Sequence, residues 1–251
     1  MSEKNVSIDG KVALVSGSNR GIGKAITIEL LERGAKKVYA GARNTNLLND
    51  LKEKYGERLV PLELDVTSDE SIAKAAELAS DVEVLINNAG VFDFGSFIGG
   101  NLLSSLDNNL KVNLYGPVKL TNAFLETLKK SDSGALAIVC SAVSFGNMPM
   151  GLTYSVSKAA AHSVVQGLRG ELKDSNLLVS GIYPGPIDTE MTKDFEMDKT
   201  SPETVAKSVV KGLEGGKEYI FPDPMSEQMG QLYFSDPKEV EKQFASFGEE
   251  E

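Results

Sequence analysis

Tyr154 and Lys158 stand four residues apart in a stretch of helical periodicity, which puts them one turn apart on the same face. A free phenol has a pKa near 10 and is a poor base at neutral pH, whereas a neighbouring ammonium favours the phenolate and draws the group toward the operating range. Such a pair can trade a proton with an alcohol or a carbonyl. The same spacing also describes an ordinary surface pair, so its company matters. Ser141 closes the apolar run that precedes the pair and offers a hydroxyl to a substrate oxygen. Ser144 is a rival for that role, and either serine could instead cap the chain after a strand.

A second group lies near the start of the chain. Ser16-Gly17-Ser18-Asn19-Arg20-Gly21-Ile22-Gly23 joins a short apolar run to a stretch of helical spacing at Ile26, Leu30 and Leu31. Glycines at such a junction allow a tight turn and close backbone approach to a pyrophosphate, and the free N–H groups of the helix start complement its charge. A carboxylate about 20 residues further on would accept the ribose hydroxyls of NAD. None occurs from residue 33 through 49; the second apolar run instead ends at Arg43, and Arg20 sits in the glycine turn. Two guanidiniums and no carboxylate suit a 2′-phosphate, so NADP(H) is expected over NAD(H).

These groups need a scaffold that brings them to one edge. Apolar runs at 11–17, 37–42, 59–64, 82–87, 135–140 and 177–183 alternate with helical patterns at 23–33, 46–55, 69–79, 102–129 and 152–172. Strand alternating with helix predicts an α/β chain with a parallel sheet, a single Rossmann-type doubly wound sheet of about seven strands flanked by helices. Pro184-Gly185-Pro186 breaks the chain, and 188–200 reads as a mobile flap over a substrate. A helix follows at 202–213, an edge strand at 219–222, and a helical tail from 226 that frays at 248–251; the ends at 1–10 and 247–251 are expected to be flexible. One domain, 1–251, is the expected organisation.

Composition narrows the function classes. With 26 Lys+Arg against 36 Asp+Glu the 251-residue chain carries a net charge of −10, which disfavours nucleic acid as a partner. Locally the balance inverts: between residues 11 and 43, seven Lys/Arg face only Glu29 and Glu32. One cysteine, Cys140, and one histidine, His162, cannot build a zinc cage, and both read as packing residues. No leader and no apolar run of about 18 residues is visible, so a cytoplasmic protein without a membrane partner is expected.

Taken together the chain resembles the classical short-chain dehydrogenase/reductase family, from residue 11 to about 223. The resemblance matches Gly17, Gly21 and Gly23 to the family's glycine turn, Asp65-Val66 to its adenine contact, and Asn88, Ala89 and Gly90 to its structural motif after the fourth strand. Pro184, Gly185, Ile187 and Thr189 match the segment beside the nicotinamide. Asn113 matches the catalytic Asn that holds a water linked to the Lys, and Ser141, 13 residues before Tyr154, matches the catalytic Ser at the usual interval.

What the resemblance implies is a tetrad of Asn113, Ser141, Tyr154 and Lys158. Tyr154 and Lys158 would also touch the coenzyme, NADPH would supply hydride to a carbonyl carbon, and Tyr154 would supply the proton. Phe92, Phe94, Phe97, Phe145, Met148, Met150, Met191 and Phe195 would line a pocket for a small hydrophobic carbonyl or alcohol, or could equally be core residues. A homo-oligomer is expected, a dimer packed around Leu110 and Ala161 or a tetramer. An NADP(H)-binding redox sensor is the alternative function, and epimerisation or dehydration a third.

Overall fold

Each strand is an apolar run short enough to be buried on both faces, which is how parallel sheets covered by helices are built. The computed structural model describes residues 4–247. Its strands are β1 (Val12–Ser16), β2 (Lys37–Ala42), β3 (Leu59–Glu63), β4 (Val84–Asn87), β5 (Ala135–Val139), β6 (Leu178–Ile182) and β7 (Tyr219–Ile220). All pair in parallel, in the order β3-β2-β1-β4-β5-β6-β7. The chain starts in the middle, winds outward to β3, then returns past β1 to β4. The strand order therefore switches between β1 and β4, and the crevice beyond their carboxyl ends is where such sheets take ligands.

The helices are α1 (Gly21–Glu32), α2 (Asn49–Tyr55), α3 (Asp69–Leu78), α4 (Leu102–Leu110), α5 (Gly116–Leu128), α6 (Leu152–Glu171), α7 (Pro202–Glu214), α8 (Pro224–Ser235) and α9 (Pro237–Ala245). Alternation along the strands splits the core in two. Val15 and Ile86 point to the face covered by Ile26, Leu30, Val209 and Leu213 of α1 and α7. Leu14 and Leu85 point to the other, covered by Leu120 and Phe124 of α5 and Val165 of α6. A third, smaller apolar cluster lies beyond the sheet edge, where α8 and α9 meet the segment after β5.

Four expectations change. The single helix expected over 102–129 is two, joined by a π-helical turn at Lys111–Tyr115; one inserted residue per turn leaves the apolar spacing nearly intact. The tail is also two helices, because Asp236 ends α8 and caps α9 by accepting from Glu239 N–H at 3.2 Å, with Pro237 in the first turn. The N-terminal segment is pinned rather than loose from Val6 to Ile8, both buried in the α1 face of the core; residues 1–3 and the frayed end expected at 248–251 lie outside the described residues. Ala161, expected at a dimer contact, is 1% exposed and packs within its own subunit. Among the described residues no helix is long and apolar enough to cross a membrane, and no His/Cys/Asp/Glu cluster could hold a metal.

Candidate active site

The glycine turn forms because three side chains lock it from behind. Ser16 Oγ accepts from the backbone N–H groups of Asn88 and Ala89, each at 3.0 Å, and Asn88 Nδ2 donates to the carbonyls of Ser16 and Gly17. Ser18 Oγ donates to Val15 O at 2.7 Å and accepts from Thr27. Gly17 and Gly21 take φ of +72° and +52°, which L side chains resist. Gly23 is required by proximity: a Cβ there would stand 2.2 Å from Gly17 O. Helix α1 then starts with no capping side chain and no acidic residue in its first turn, so its N–H groups and positive end are open to a ligand.

From this turn a cavity of 940 Å³ runs along the carboxyl ends of the central strands to α8 and α9. At the near end it is lined by Gly17, Asn19, Arg20, Gly21, Ile22, Gly23, Arg43, Asp65 and Val66. Its middle is lined by Asn88, Ala89, Gly90, Ser141, Tyr154, Lys158, Pro184, Gly185, Ile187 and Thr189. Arg20 and Arg43 are exposed and, among the described residues, neither makes an ion pair. Asp65 is held below the usual carboxylate range, first by Thr67, whose N–H and Oγ1 donate to it at 2.9 and 2.7 Å, and more weakly by Arg43.

Two expected site residues do not reach this cavity. Ser18 is fully buried and spends its hydroxyl inside the turn. Asn113 lies in the π turn, where its Nδ2 donates to Val91 O and Ser157 Oγ and its Oδ1 accepts from Val91 N–H, all at 2.9 Å. It straps the chain after β4 against α6. Short π segments often mark functional positions, and here the extra residue turns Asn113 inward.

Geometry separates the two serines. Ser144 Oγ accepts from Ser141 N–H at 3.1 Å and donates to Lys158 O at 3.0 Å, so it is consumed by the fold. Ser141 faces the cavity and Tyr154, and its bonds to the backbone are long, 3.3 Å to Pro184 O and 3.4 Å from Val143 N–H, so a substrate oxygen can replace them. Tyr154 projects from the first turn of α6, its ring 4.5 Å from that of Phe92. Lys158 Nζ lies 5.6 Å from the Tyr154 ring centre and donates to Val139 O at 2.7 Å.

The expected lowering of the Tyr154 phenol is not what the site does. Burial pushes it up to about 12, with a hydrogen bond to Ser141 opposing. Burial likewise pushes Lys158 down to about 8. At neutral pH the site therefore presents a neutral phenol, which is a proton donor, beside a mostly protonated amine. The buried ammonium costs stability below pH 8, where both folded and unfolded chains carry the proton. Between pH 8 and the unfolded value of 10.5 the unfolded chain binds more protons, and stability rises with pH. Lys158→Met should accordingly raise the melting temperature below pH 8, by an effect on the order of 2–3 kcal/mol, with the gain shrinking toward pH 10; thermal melts of both proteins across that range would show it.

The far end of the cavity is partly as expected. Phe92, Met148, Met150, Met191 and Phe195 line it, and Met197 joins them. Phe94 and Phe97 do not, and Phe97 is 79% exposed. Phe145 stacks on Tyr233 at 4.3 Å instead, in an aromatic cluster with His162 and Tyr183. His162 Nδ1 pairs with Tyr183 Oη at 2.8 Å, and burial keeps the ring neutral. Cys140 lines the floor as a thiol pushed up to about 12 by burial. Missed altogether were Met225, Phe244 and Phe247, which reach the cavity from the tail. The four-residue step from Val240 to Phe244 signals a helix face, with nothing in it to say what the face covers.

A doubly wound parallel sheet with a glycine cradle at one end of its crevice and a Ser–Tyr–Lys cluster at the other defines a Rossmann-type nucleotide-binding enzyme fold. Residues 11–200 match the family model for short chain dehydrogenase, and the chain belongs to that family. Among curated relatives it is 34% identical over 194 residues to the 3-oxoacyl-(acyl-carrier-protein) reductase FabG of Aquifex aeolicus, covering 74% of this chain and 78% of that one. Among solved structures it resembles a short chain dehydrogenase from Burkholderia cenocepacia in complex with NADP. The TM-score is 0.86, with 34% identity over 95% of this chain and 99% of that one. An alcohol dehydrogenase from Thermococcus sibiricus complexed with 5-hydroxy-NADP matches with a TM-score of 0.75 at 27% identity, covering 84% and 95%.

Proposed function

We propose that the protein is an NADPH-dependent oxidoreductase that interconverts a carbonyl and an alcohol, acting on a small hydrophobic substrate. The observation that carries this reading is the convergence of Ser141, Tyr154 and Lys158 on one cavity whose other end holds the open start of α1 and two arginines without an ion pair among the described residues. A dinucleotide fits this donor set: the α1 N–H groups meet its pyrophosphate, Arg20 and Arg43 a 2′-phosphate, and Pro184, Gly185, Ile187 and Thr189 the nicotinamide end. The relatives solved with NADP and 5-hydroxy-NADP support the same coenzyme.

The bound coenzyme would supply hydride to the substrate carbon. The remaining work belongs to side chains of this chain. Ser141 donates a hydrogen bond to the carbonyl oxygen, and Tyr154, neutral at pH 7, transfers its phenolic proton to that oxygen as the carbon is reduced. Lys158, one turn on, stabilises the phenolate left behind and keeps two further N–H donors beyond the one spent on Val139. Asn113 fixes the Val91 backbone and Ser157, and so positions the floor of the site without touching the substrate. A protonated phenol is the starting state that the reductive step needs. Purified protein should oxidise NADPH when given aldehydes, ketones or quinones, followed by coenzyme absorbance. Tight NADP(H) binding without turnover across that panel would select the redox-sensor alternative instead.

A further inference from the structure

The substrate end is closed by a part of the chain beyond the segment that matches the family model, residues 201–247. Within it α8 is rooted at Asp223, whose Oδ1 accepts from Ser226 N–H at 2.9 Å and whose Oδ2 accepts from Gly185 N–H at 2.8 Å, so the start of the helix is bonded to the Pro184-Gly185 segment. Its far half is held by the Tyr233–Phe145 stack. Helix α9 lies on the turn that follows Ser141: Val240 and Phe244 are buried against Ala142 and Val143. The approach is close enough that a Cβ on Gly146 would stand 2.8 Å from Phe244 Cδ2 and 3.1 Å from Val240 Cγ1. Phe244 and Phe247 line the cavity, as do Phe92 and Met225 of the same apolar cluster. Seated on the same cluster as Tyr154, this cap is part of the reaction chamber.

The chamber's chemistry is uneven. Five of the chain's seven methionines line it, at 148, 150, 191, 197 and 225, together with the aromatic rings. Thioethers adapt in shape and make favourable contacts to ring edges. The lining cations are Arg20 and Arg43 at the coenzyme end and Lys158 at the reacting centre. On the flap, Glu190 is neutralised by Lys193 at 2.6 Å, while Asp194 and Glu196 line the mouth with no ion-pair partner among the described residues. A carboxylate on the substrate away from the reacting carbonyl would lose its water and face like charges, with Lys158 held at the reacting centre.

Building on the carbonyl-reductase reading above, we propose that α8–α9 is a specificity cap, and that through Phe244, Phe247 and Met225 it selects uncharged, ring-bearing carbonyl compounds and rejects their anionic analogues. Methyl 4-formylbenzoate and 4-formylbenzoate, nearly equal in size and different in charge, test this against propanal. Wild type with NADPH should show kcat/KM at least about tenfold higher for the ester than for the carboxylate. Phe247→Ala should lower the ester-to-propanal ratio by about tenfold, and Met225→Ala, on α8 rather than at the end of α9, should lower it in the same direction. Phe247→Arg should recover the carboxylate. Equal rates for ester and carboxylate, or ratios untouched by all three variants, would overturn the cap. Calorimetric binding of the two corresponding benzyl alcohols to the NADP-loaded protein reads the same selectivity without turnover. An inert enzyme that still prefers the ester alcohol would therefore refute the reductase reading and uphold the cap, and one that binds both alike would refute the cap.

Discussion

Tyr154→Phe should reduce kcat with NADPH and any accepted carbonyl by about a thousandfold or more, at the upper end of what a positioned acid supplies. The expectation rests on how little else the substitution removes. Phenylalanine keeps the ring that packs against Phe92 and the third apolar cluster, so the local fold is conserved. The hydroxyl it deletes is pushed up to about 12 by burial and is therefore a stored proton at neutral pH rather than a charged group in an ion pair. Melting temperature should be unchanged or slightly raised, and NADPH should still bind the glycine turn. The serine beside Tyr154 is a poor substitute, because Ser141 would have to give up a proton far more tightly held than a phenol's. Single-turnover measurement of coenzyme oxidation would separate the chemical step from binding. A variant that keeps more than a tenth of the wild-type rate would remove Tyr154 from the proton-donor role.

How much of this was legible in the sequence depends on the range over which each feature is encoded. The strands announced themselves because an apolar run between turn residues is a local signal, and the glycine turn because Gly17, Gly21 and Gly23 are needed where they stand whatever lies far away. Tyr154 and Lys158 were legible as a pair, yet their proton affinities were not: those follow from burial and from the Val139 carbonyl, an acceptor 19 positions away in sequence that no spacing rule points to. By residue type alone Ser141 and Ser144 were open, since both follow the same strand; the resemblance favoured Ser141 by its interval to Tyr154, and the hydrogen bond from Ser144 to Lys158 O shows why Ser144 is not free. The π turn at Lys111–Tyr115 hid because a single inserted residue barely shifts the apolar face. Ala161, named at an expected dimer contact, is instead part of the core on one face of the sheet. The cap was least legible of all. Its apolar spacing is visible, while its seat at Gly146 depends on a contact nearly a hundred residues away.

The second large effect concerns which coenzyme is chosen. Arg43→Asp should invert the preference, lowering kcat/KM for NADPH by about a hundredfold and raising it for NADH. Arg43 directly follows β2 at the near end of the cavity, exposed and without an ion pair among the described residues, so its charge is uncommitted. Arg20 stands in the glycine turn at the same end. A phosphate between them gains charge-assisted bonds from both, and a carboxylate at 43 would repel it while offering acceptors to ribose hydroxyls. Asp65 does not already play that part, because Thr67 donates twice to one of its carboxylate oxygens.

Removing charge without reversing it should do less. Arg43→Ala and Arg20→Ala should each weaken NADPH by about tenfold, and NADH little, since each deletes one attractive partner and adds no repulsion. Because both arginines are exposed, the preference should also shrink as ionic strength rises past a few tenths molar, where charges are screened over less than about 10 Å. Steady-state kinetics with both coenzymes at two salt concentrations decide the matter. A ratio of NADPH to NADH efficiency that ignores both arginines and salt would mean the discrimination lies elsewhere, in the shape of the turn rather than in its charge.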